Sequence, residues 1–302
     1  MKTKLIDYVD NGPIFITGHV NPDGDALGSA FALKLFLDSQ NIISDVDFDI
    51  TTKLPSNLNH LPYHLISDDL KEKYNTVFVF DCGNSSRLGK YEEVVLAAEN
   101  VVVIDHHVDP SFGDVQIIDP HAASTTQVLF RQFKDENIEI NEEMANCLLT
   151  GLITDTGRFQ YSNTTSEVFS IAAELLGNGA NLSKISENIY GSIEFNALTL
   201  QSKIIERIVL NEDLQFAHSI VFQNDYKDYQ VEPEETDFLI DVVRLVKEST
   251  VALLIKEQED GSFKGSLRSR GDIDVQKIAS IFGGGGHAVS YTHLTLPTSD
   301  LV

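Results

Sequence analysis

The sequence predicts an α/β protein: a doubly wound, mainly parallel sheet, followed by a smaller C-terminal domain of α/β or α+β type. Three observations predict it. Short apolar runs of central-strand length, Ile14 to Ile16, Thr76 to Phe80 and Val101 to Ile104, alternate with helix-like patterns to about residue 178. The runs are apolar throughout, as strands covered on both faces are. Titratable residues follow each run, and ligands of open α/β sheets collect outside the carboxyl ends of the strands.

The first run leads into GHVNPDGDALGSA, and a helix starts at about Ala26 with Leu27, Ala30, Phe31 and Leu35 along one face. The loop between them carries His19, Asp23 and Asp25. Gly24 permits a tight path there, and two aspartates two positions apart can face different cations while His19 reaches one from the strand end. The same residues also spell an Asn-Pro-Asp-Gly turn with Asp25 capping the helix. Asp81 ends the second run and alone would merely begin a loop. Asp105-His106-His107 after VVVI says more, because three adjacent titratable groups at a buried strand end are costly unless a charge or ligand compensates them. Asp155 follows NCLLTGLIT, a stretch that reads as helix or strand, and Gly157 marks a turn. Four such sites in chain order exceed what separate caps and turns explain. Carboxylates mixed with imidazoles are the ligand set of a two-metal centre, which can clamp the attacking and leaving oxygens of a phosphoryl displacement.

Past residue 178 the polar stretch GNGANLSKISENIYGS reads as a linker with one short helix. The expected organisation is a catalytic domain over 1–178, a linker over 179–194, a substrate domain over 195–288 and an atypical tail over 289–302. The second domain shows a helix pattern near 195–209, strands near LQFAHSIVF, VALLIKEQ and FKGSLRS, and helices near 234–247 and 274–282. Arg268 and Arg270 alternate in SLRSR, which puts both on one face of a strand; guanidinium forks there suit a phosphate or carboxylate, or simply a solvated edge. Gly283 to Gly286, followed by His287, reads either as a linker or as a loop whose bare amides approach a phosphate. Arg158, beside the Asp155 turn, fits a substrate contact or a structural salt bridge equally well.

HVNPDGDALGS, DCG, DHH and TDTGRF, in this order, resemble the DHH phosphoesterase superfamily, and KGSLRSRGDIDVQKIASIFGGGGH is similar to the second domain of its DHHA1 subfamily. The likeness spans about residues 12 to 287. Within the subfamily, lengths and order look nearest to the bacterial nanoRNase and phosphoadenosine-phosphate phosphatase type. The resemblance implies that His19, Asp23 and Asp81 hold one divalent ion and Asp25, Asp81, His106 and Asp155 a second, with Asp81 bridging. It implies that His107 faces substrate and that Asp105 orients an imidazole. It also implies that Gly284, Gly285 and Gly286 form a phosphate-approaching loop, with His287 touching substrate. The reaction implied is hydrolysis of short oligoribonucleotides to mononucleotides and of 3′-phosphoadenosine 5′-phosphate to AMP. The alternatives are a cyclic or linear dinucleotide phosphodiesterase, a RecJ-like single-strand exonuclease, a pyrophosphatase, or a non-catalytic nucleotide-binding protein. The last would have lost ligands, and every implied ligand is present. The end departs from the family: after GGGGH a small-residue-rich continuation and a closing strand are expected, and AVSYTHLTLPTSDLV offers neither, as a truncated or foreign tail would.

With 302 residues, 42% hydrophobic and 23% charged, the chain suits two globular domains. Its formal charge of −24 excludes a broad basic face for long duplex nucleic acid. A short anionic substrate remains compatible, because metal ions and a few arginines can hold one phosphate. Manganese suits the mixed oxygen and nitrogen donors better than magnesium. Cys82 and Cys147 lie far apart in apolar segments, as in a reducing compartment. MKTKLIDYVDNGP lacks a signal-like apolar core and no run approaches the roughly 18 apolar residues of a membrane span, so the expectation is a cytoplasmic protein with no membrane partner. A homodimer is compatible with the chain.

Overall fold

The computed structural model describes residues 3–9, 12–51, 53–107, 111–270, 273–281, 285–286 and 290–296. Two compact units divide the chain at Ser192 and Ile193. The first contains, in order, β1 (Ile14–Gly18), α1 (Gly24–Ser39), β2 (Ser44–Val46), β3 (Thr76–Phe80), α2 (Glu92–Leu96), β4 (Asn100–Asp105), β5 (Val115–Ile118), α3 (Thr125–Asp135), α4 (Glu142–Asp155), α5 (Ser166–Gly177) and α6 (Leu182–Ser186). The strands form one sheet in the order β2-β1-β3-β4-β5, every pair parallel. The expected doubly wound architecture is present. Residues of β1, β3 and β4 are buried on both sides because the sheet has two apolar faces. Ile14, Ile16, Phe78, Phe80, Val102 and Ile104 belong to one core with buried residues of α1, α3 and α4, while Phe15, Val77, Val79, Val101 and Val103 pack with Tyr74, Leu88, Tyr91 and Val95.

α1 is more deeply set than a one-sided amphipathic helix. Gly24 through Leu33 are all buried, as in a helix held between the sheet and a second helical layer. That second layer is α4, and the crossing is close because glycines line it. A Cβ on Gly28 would stand 2.4 Å from the Cys147 carbonyl oxygen, and one on Gly24 2.7 Å from the Thr154 side chain. Gly24 therefore serves a helix contact, rather than the tight loop path expected. Gly28→Ala is expected to lower unfolding free energy by about 1–3 kcal/mol through this overpacking, although alanine is the better helix former by about 1 kcal/mol. Urea denaturation checks it, and a variant as stable as the parent would show that the two helices need not touch.

The stretch read as a linker is structured. Ile185 and Ile189, one helical turn apart, are buried in the first unit's core, so residues through Ser192 fold with that unit. Their spacing gives α6 and the turn after it an apolar stripe that the polar, Asn-rich composition conceals.

The second unit has α7 (Phe195–Glu206), β6 (Val209–Asn211), β7 (Phe216–Val221), α8 (Gln223–Tyr229), α9 (Leu239–Arg244), β8 (Val251–Glu257), β9 (Phe263–Ser269), α10 (Val275–Ile281), β10 (Gly285–Gly286) and β11 (Ser290–Leu296). Its sheet runs β10-β11-β9-β8-β7-β6, parallel only between β7 and β8. Ala217, Val221, Ala252 and Leu254 bury one face with Leu200, Ile204, Leu239 and Val243. β11 overturns the expectation that the tail offers no closing strand. Its backbone pairs antiparallel with β9, Leu294 opposite Gly265 and Leu296 opposite Phe263. The alternating β-branched, aromatic and leucine residues of SYTHLTL suit a strand, whatever their ancestry.

Candidate metal centre

The first unit brings together His19, Asp23, Asp25, Asp81, Asp105, His106, His107 and Asp155, in overlapping groups of donor atoms that could hold metal ions. The supports differ from those that the sequence suggested. Asp23, rather than Asp25, caps α1: its Oδ1 accepts from the backbone N–H of Asp25 at 3.0 Å and of Ala26 at 3.1 Å. Its Oδ2 faces His19 Nε2 at 3.9 Å. Asp25 sits in the first turn of α1, fully buried, and α3 points its N-terminus at it. Thr125 N–H donates to Asp25 Oδ2 at 2.5 Å and Thr126 N–H to Oδ1 at 2.9 Å, as helix N-termini hold anions. Asp155 comes from a helix, the last residue of α4, and reaches the cluster because the glycine-lined crossing keeps α4 against α1.

Asp81 occupies the middle. Directly after β3 it adopts a left-handed conformation, φ 54°, one that aspartate tolerates better than most residues and that functional sites retain despite its cost. Its Oδ2 lies 3.5 Å from His19 Nε2, while its Oδ1 lies 3.5 Å from His106 Nε2 and accepts from the Thr125 hydroxyl at 3.1 Å. The two oxygens of one carboxylate thus face two different groups of donors. On the Oδ1 side, His106 Nε2 is 3.2 Å from Asp155 Oδ2 and 3.9 Å from Asp25 Oδ2.

The rings are set by their other nitrogens. His19 Nδ1 lies 2.9 Å from the Val20 carbonyl oxygen and His106 Nδ1 3.2 Å from that of Ala122, so each Nδ1 donates and each Nε2 is turned inward toward the carboxylates. His107 is arranged differently. Its Nδ1 is 2.7 Å from Asp105 Oδ1, the oxygen that also accepts the N–H groups of His106 and His107. Asp105 therefore orients His107 rather than His106.

Burial raises the Asp25 carboxyl, and the charge of Asp81 adds to it, to about 7; burial and Asp25 together push Asp155 well up. Burial opposes the charged imidazole at His19, yet Asp23 and Asp81 outweigh it and carry the ring up to about 10. At His106 burial is likewise outweighed by Asp155, Asp81 and Asp25. Asp81 goes the other way: three imidazoles overcome its burial and hold it well below the usual carboxylate range. Buried carboxylates so placed call for positive charge, from protons or from cations. The orientation of both Nε2 atoms makes metal cations a chemical fit.

The chain is similar over residues 13–152 to the DHH family, N-terminal domain, and over residues 213–290 to the DHHA1 domain. It is 33% identical over 285 residues, 91% of this chain and 82% of the relative, to the bifunctional oligoribonuclease and PAP phosphatase NrnA of Thermus thermophilus. The chain belongs to the DHH family. As such it is a phosphoester hydrolase of a metal-dependent kind. The NrnA of Bacillus subtilis is 26% identical, covering 96% of this chain and 92% of the relative. A crystal structure of an exopolyphosphatase-related protein from Bacteroides fragilis superposes with TM-score 0.88 at 26% identity, covering 96% of this chain and 89% of that one. No described helix is long and apolar enough to cross a membrane.

The substrate candidates of this DHH chain are placed less uniformly. Arg268 is buried in β9 opposite Ala252, and its Nη1 donates to the Leu267 carbonyl at 2.9 Å. Arg270 lies just past the strand, and its guanidinium donates to the carbonyls of Arg244 and Val246 at the end of α9, a C-terminal capping role. Gly285 and Gly286 form β10, while Gly284 and His287 lie outside the described residues. Arg158 is exposed and stacks on Tyr190, with no salt bridge among the described residues. Sequence reasoning missed Thr125 and Thr126. The available signal was AASTT, a Ser124 cap opening a helix whose free N–H groups could receive a carboxylate.

Proposed function

We propose that this DHH protein is a two-metal-ion phosphoesterase that degrades short oligoribonucleotides to mononucleotides and converts 3′-phosphoadenosine 5′-phosphate to AMP. The observation that carries this reading is Asp81, whose two oxygens face separate donor groups 3.5 Å away on either side. His19, Asp23 and Asp81 would hold one ion; Asp25, Asp81, His106 and Asp155 would hold the other, with manganese suited to both. When bound, the ions supply Lewis acidity that lowers the pKa of water and offsets charge on the phosphoryl oxygens. Thr125 and Thr126 fix the Asp25 carboxylate, and the Thr125 hydroxyl fixes Asp81. With Nδ1 engaged by Asp105, His107 is left Nε2 with which to steady charge on the reacting phosphate or to deliver a proton to its leaving oxygen. No protein nucleophile is needed.

The substrate class is supported by the names of the NrnA relatives and by the chain's charge of −24, which disfavours long polyanions. In the second unit, the backbone of Gly284 to Gly286 and His287 are the proposed substrate contacts. Arg268 and Arg270 remain proposed substrate contacts of that unit, as their guanidinium chemistry suggests.

The test is hydrolysis, with manganese supplied, of a diribonucleotide, a five-nucleotide RNA, 3′-phosphoadenosine 5′-phosphate, cyclic di-AMP and pyrophosphate. The first three are the expected substrates. Pyrophosphate as the only good substrate would overturn the proposal, and dominance of cyclic di-AMP would replace it with a cyclic-dinucleotide phosphodiesterase.

A further inference from the structure

Two irregular pieces of backbone meet beside Asp155. Gly157, Arg158 and Phe159 all have positive φ, 53°, 62° and 63°, a left-handed run that costs residues with a Cβ about 1 kcal/mol or more each. The second piece is the π turn Glu187–Gly191, a rare geometry concentrated at functional sites. Both lie in the first unit. They converge on one contact, the Arg158 guanidinium 4.0 Å above the Tyr190 ring.

The turn is firmly held. Arg158 N–H donates to the Ile153 carbonyl at 2.9 Å, Phe159 N–H to the Thr156 hydroxyl at 3.1 Å, and Asn163 Nδ2 to the Asp155 carbonyl at 3.0 Å. Gly157 is required in it, because a Cβ there would lie 2.3 Å from the Tyr161 ring. Packing accounts for Phe159, whose ring meets Phe169 at 5.4 Å and leans on the core. Nothing internal accounts for Arg158. It is exposed, and its guanidinium donates to no described residue, in a chain with 46 acidic side chains against 22 lysines and arginines. The Tyr190 ring steadies the guanidinium carbon, a contact that uses none of the guanidinium N–H groups. A guanidinium held by a ring and with no acidic partner among the described residues suits a phosphate, which it can grip with two parallel hydrogen bonds. Three residues of chain place its Cα within about 11 Å of that of Asp155.

Resting on the phosphoesterase reading above, we propose that Arg158, steadied by Tyr190, binds a second phosphate of the substrate, one that is not cleaved. It would then favour a 5′-phosphorylated dinucleotide over the unphosphorylated one, and adenosine 3′,5′-bisphosphate over adenosine 3′-monophosphate. The test is manganese-supported kinetics on both pairs with the full chain. Wild type is expected to show the lower KM for the two-phosphate member. Arg158→Ala is expected to raise that KM about 10- to 100-fold, as loss of hydrogen bonds to a charged group does, with kcat, melting temperature and KM for the other member unchanged. Tyr190→Phe keeps the ring and should match wild type; Tyr190→Leu should show part of the loss. Equal increases in KM for both members would assign Arg158 to base stacking or to structure and overturn the proposal, as would no increase. Should wild type hydrolyse neither pair, the phosphoesterase reading fails by itself. The same comparison is then made from calorimetric dissociation constants of the bisphosphate and monophosphate, where retained discrimination in Arg158→Ala overturns the inference and its loss supports it.

Discussion

Asp81→Ala is expected to lower kcat at least about 10³-fold, a loss of about 4 kcal/mol in transition-state stabilisation, while the protein still folds. The carboxylate faces His19 through one oxygen and His106 through the other, both at 3.5 Å, so removing it strips a ligand from both proposed ions at once. Folding should survive because the neighbouring strands are bonded through backbone and the Asp81 N–H itself donates to the Ile104 carbonyl, a bond that alanine keeps, although alanine pays somewhat more than aspartate for the φ of 54°. Steady-state rates on a diribonucleotide, with circular dichroism as the folding control, check this. More than a tenth of wild-type activity, a loss under about 1.4 kcal/mol, would mean that Asp81 does not serve both sides.

His107→Ala should separate chemistry from metal binding. Asp105 holds the ring through Nδ1 at 2.7 Å, and neither of the two metal-ligand sets proposed above needs His107. The variant is expected to keep its metal content and its KM while kcat falls by about 10²- to 10⁴-fold, the range of general acid–base and electrostatic contributions. Rates and metal stoichiometry measured on one preparation decide the point. Loss of metal would make His107 a ligand, and a raised KM with unchanged kcat would make it a binding group.

The parallel sheet was legible because buried parallel strands are written as continuous apolar runs, and the Asp81 and DHH positions were legible because they end such runs. NCLLTGLIT could not be assigned, since a helix buried on most sides is as uniformly apolar as a buried strand. The depth of α1 was hidden for a related reason: Gly28 looks unremarkable until α4 is laid across it, and Gly151 of α4 until Thr126 and Asp25 close on it. Thr125 and Thr126 touch Asp25 across 100 residues of chain, a pairing that no local pattern encodes. Ile185 and Ile189 were lost in polar surroundings, and β6 and α8 in short segments where propensity is weak. The two arginines of SLRSR were read for their chemistry, yet the fold turns Arg270 onto carbonyls of its own chain. A guanidinium fork suits a helix end as well as a phosphate, so the strand pattern could not show the contact with α9.

The central claim is a pair of cations sharing one carboxylate. Manganese titration followed by electron paramagnetic resonance tests it most directly. The account predicts two ions per chain with a spin-coupled spectrum, and loss of the coupling in Asp81→Ala. A wild-type protein that binds one ion, or two that remain magnetically isolated, would contradict it.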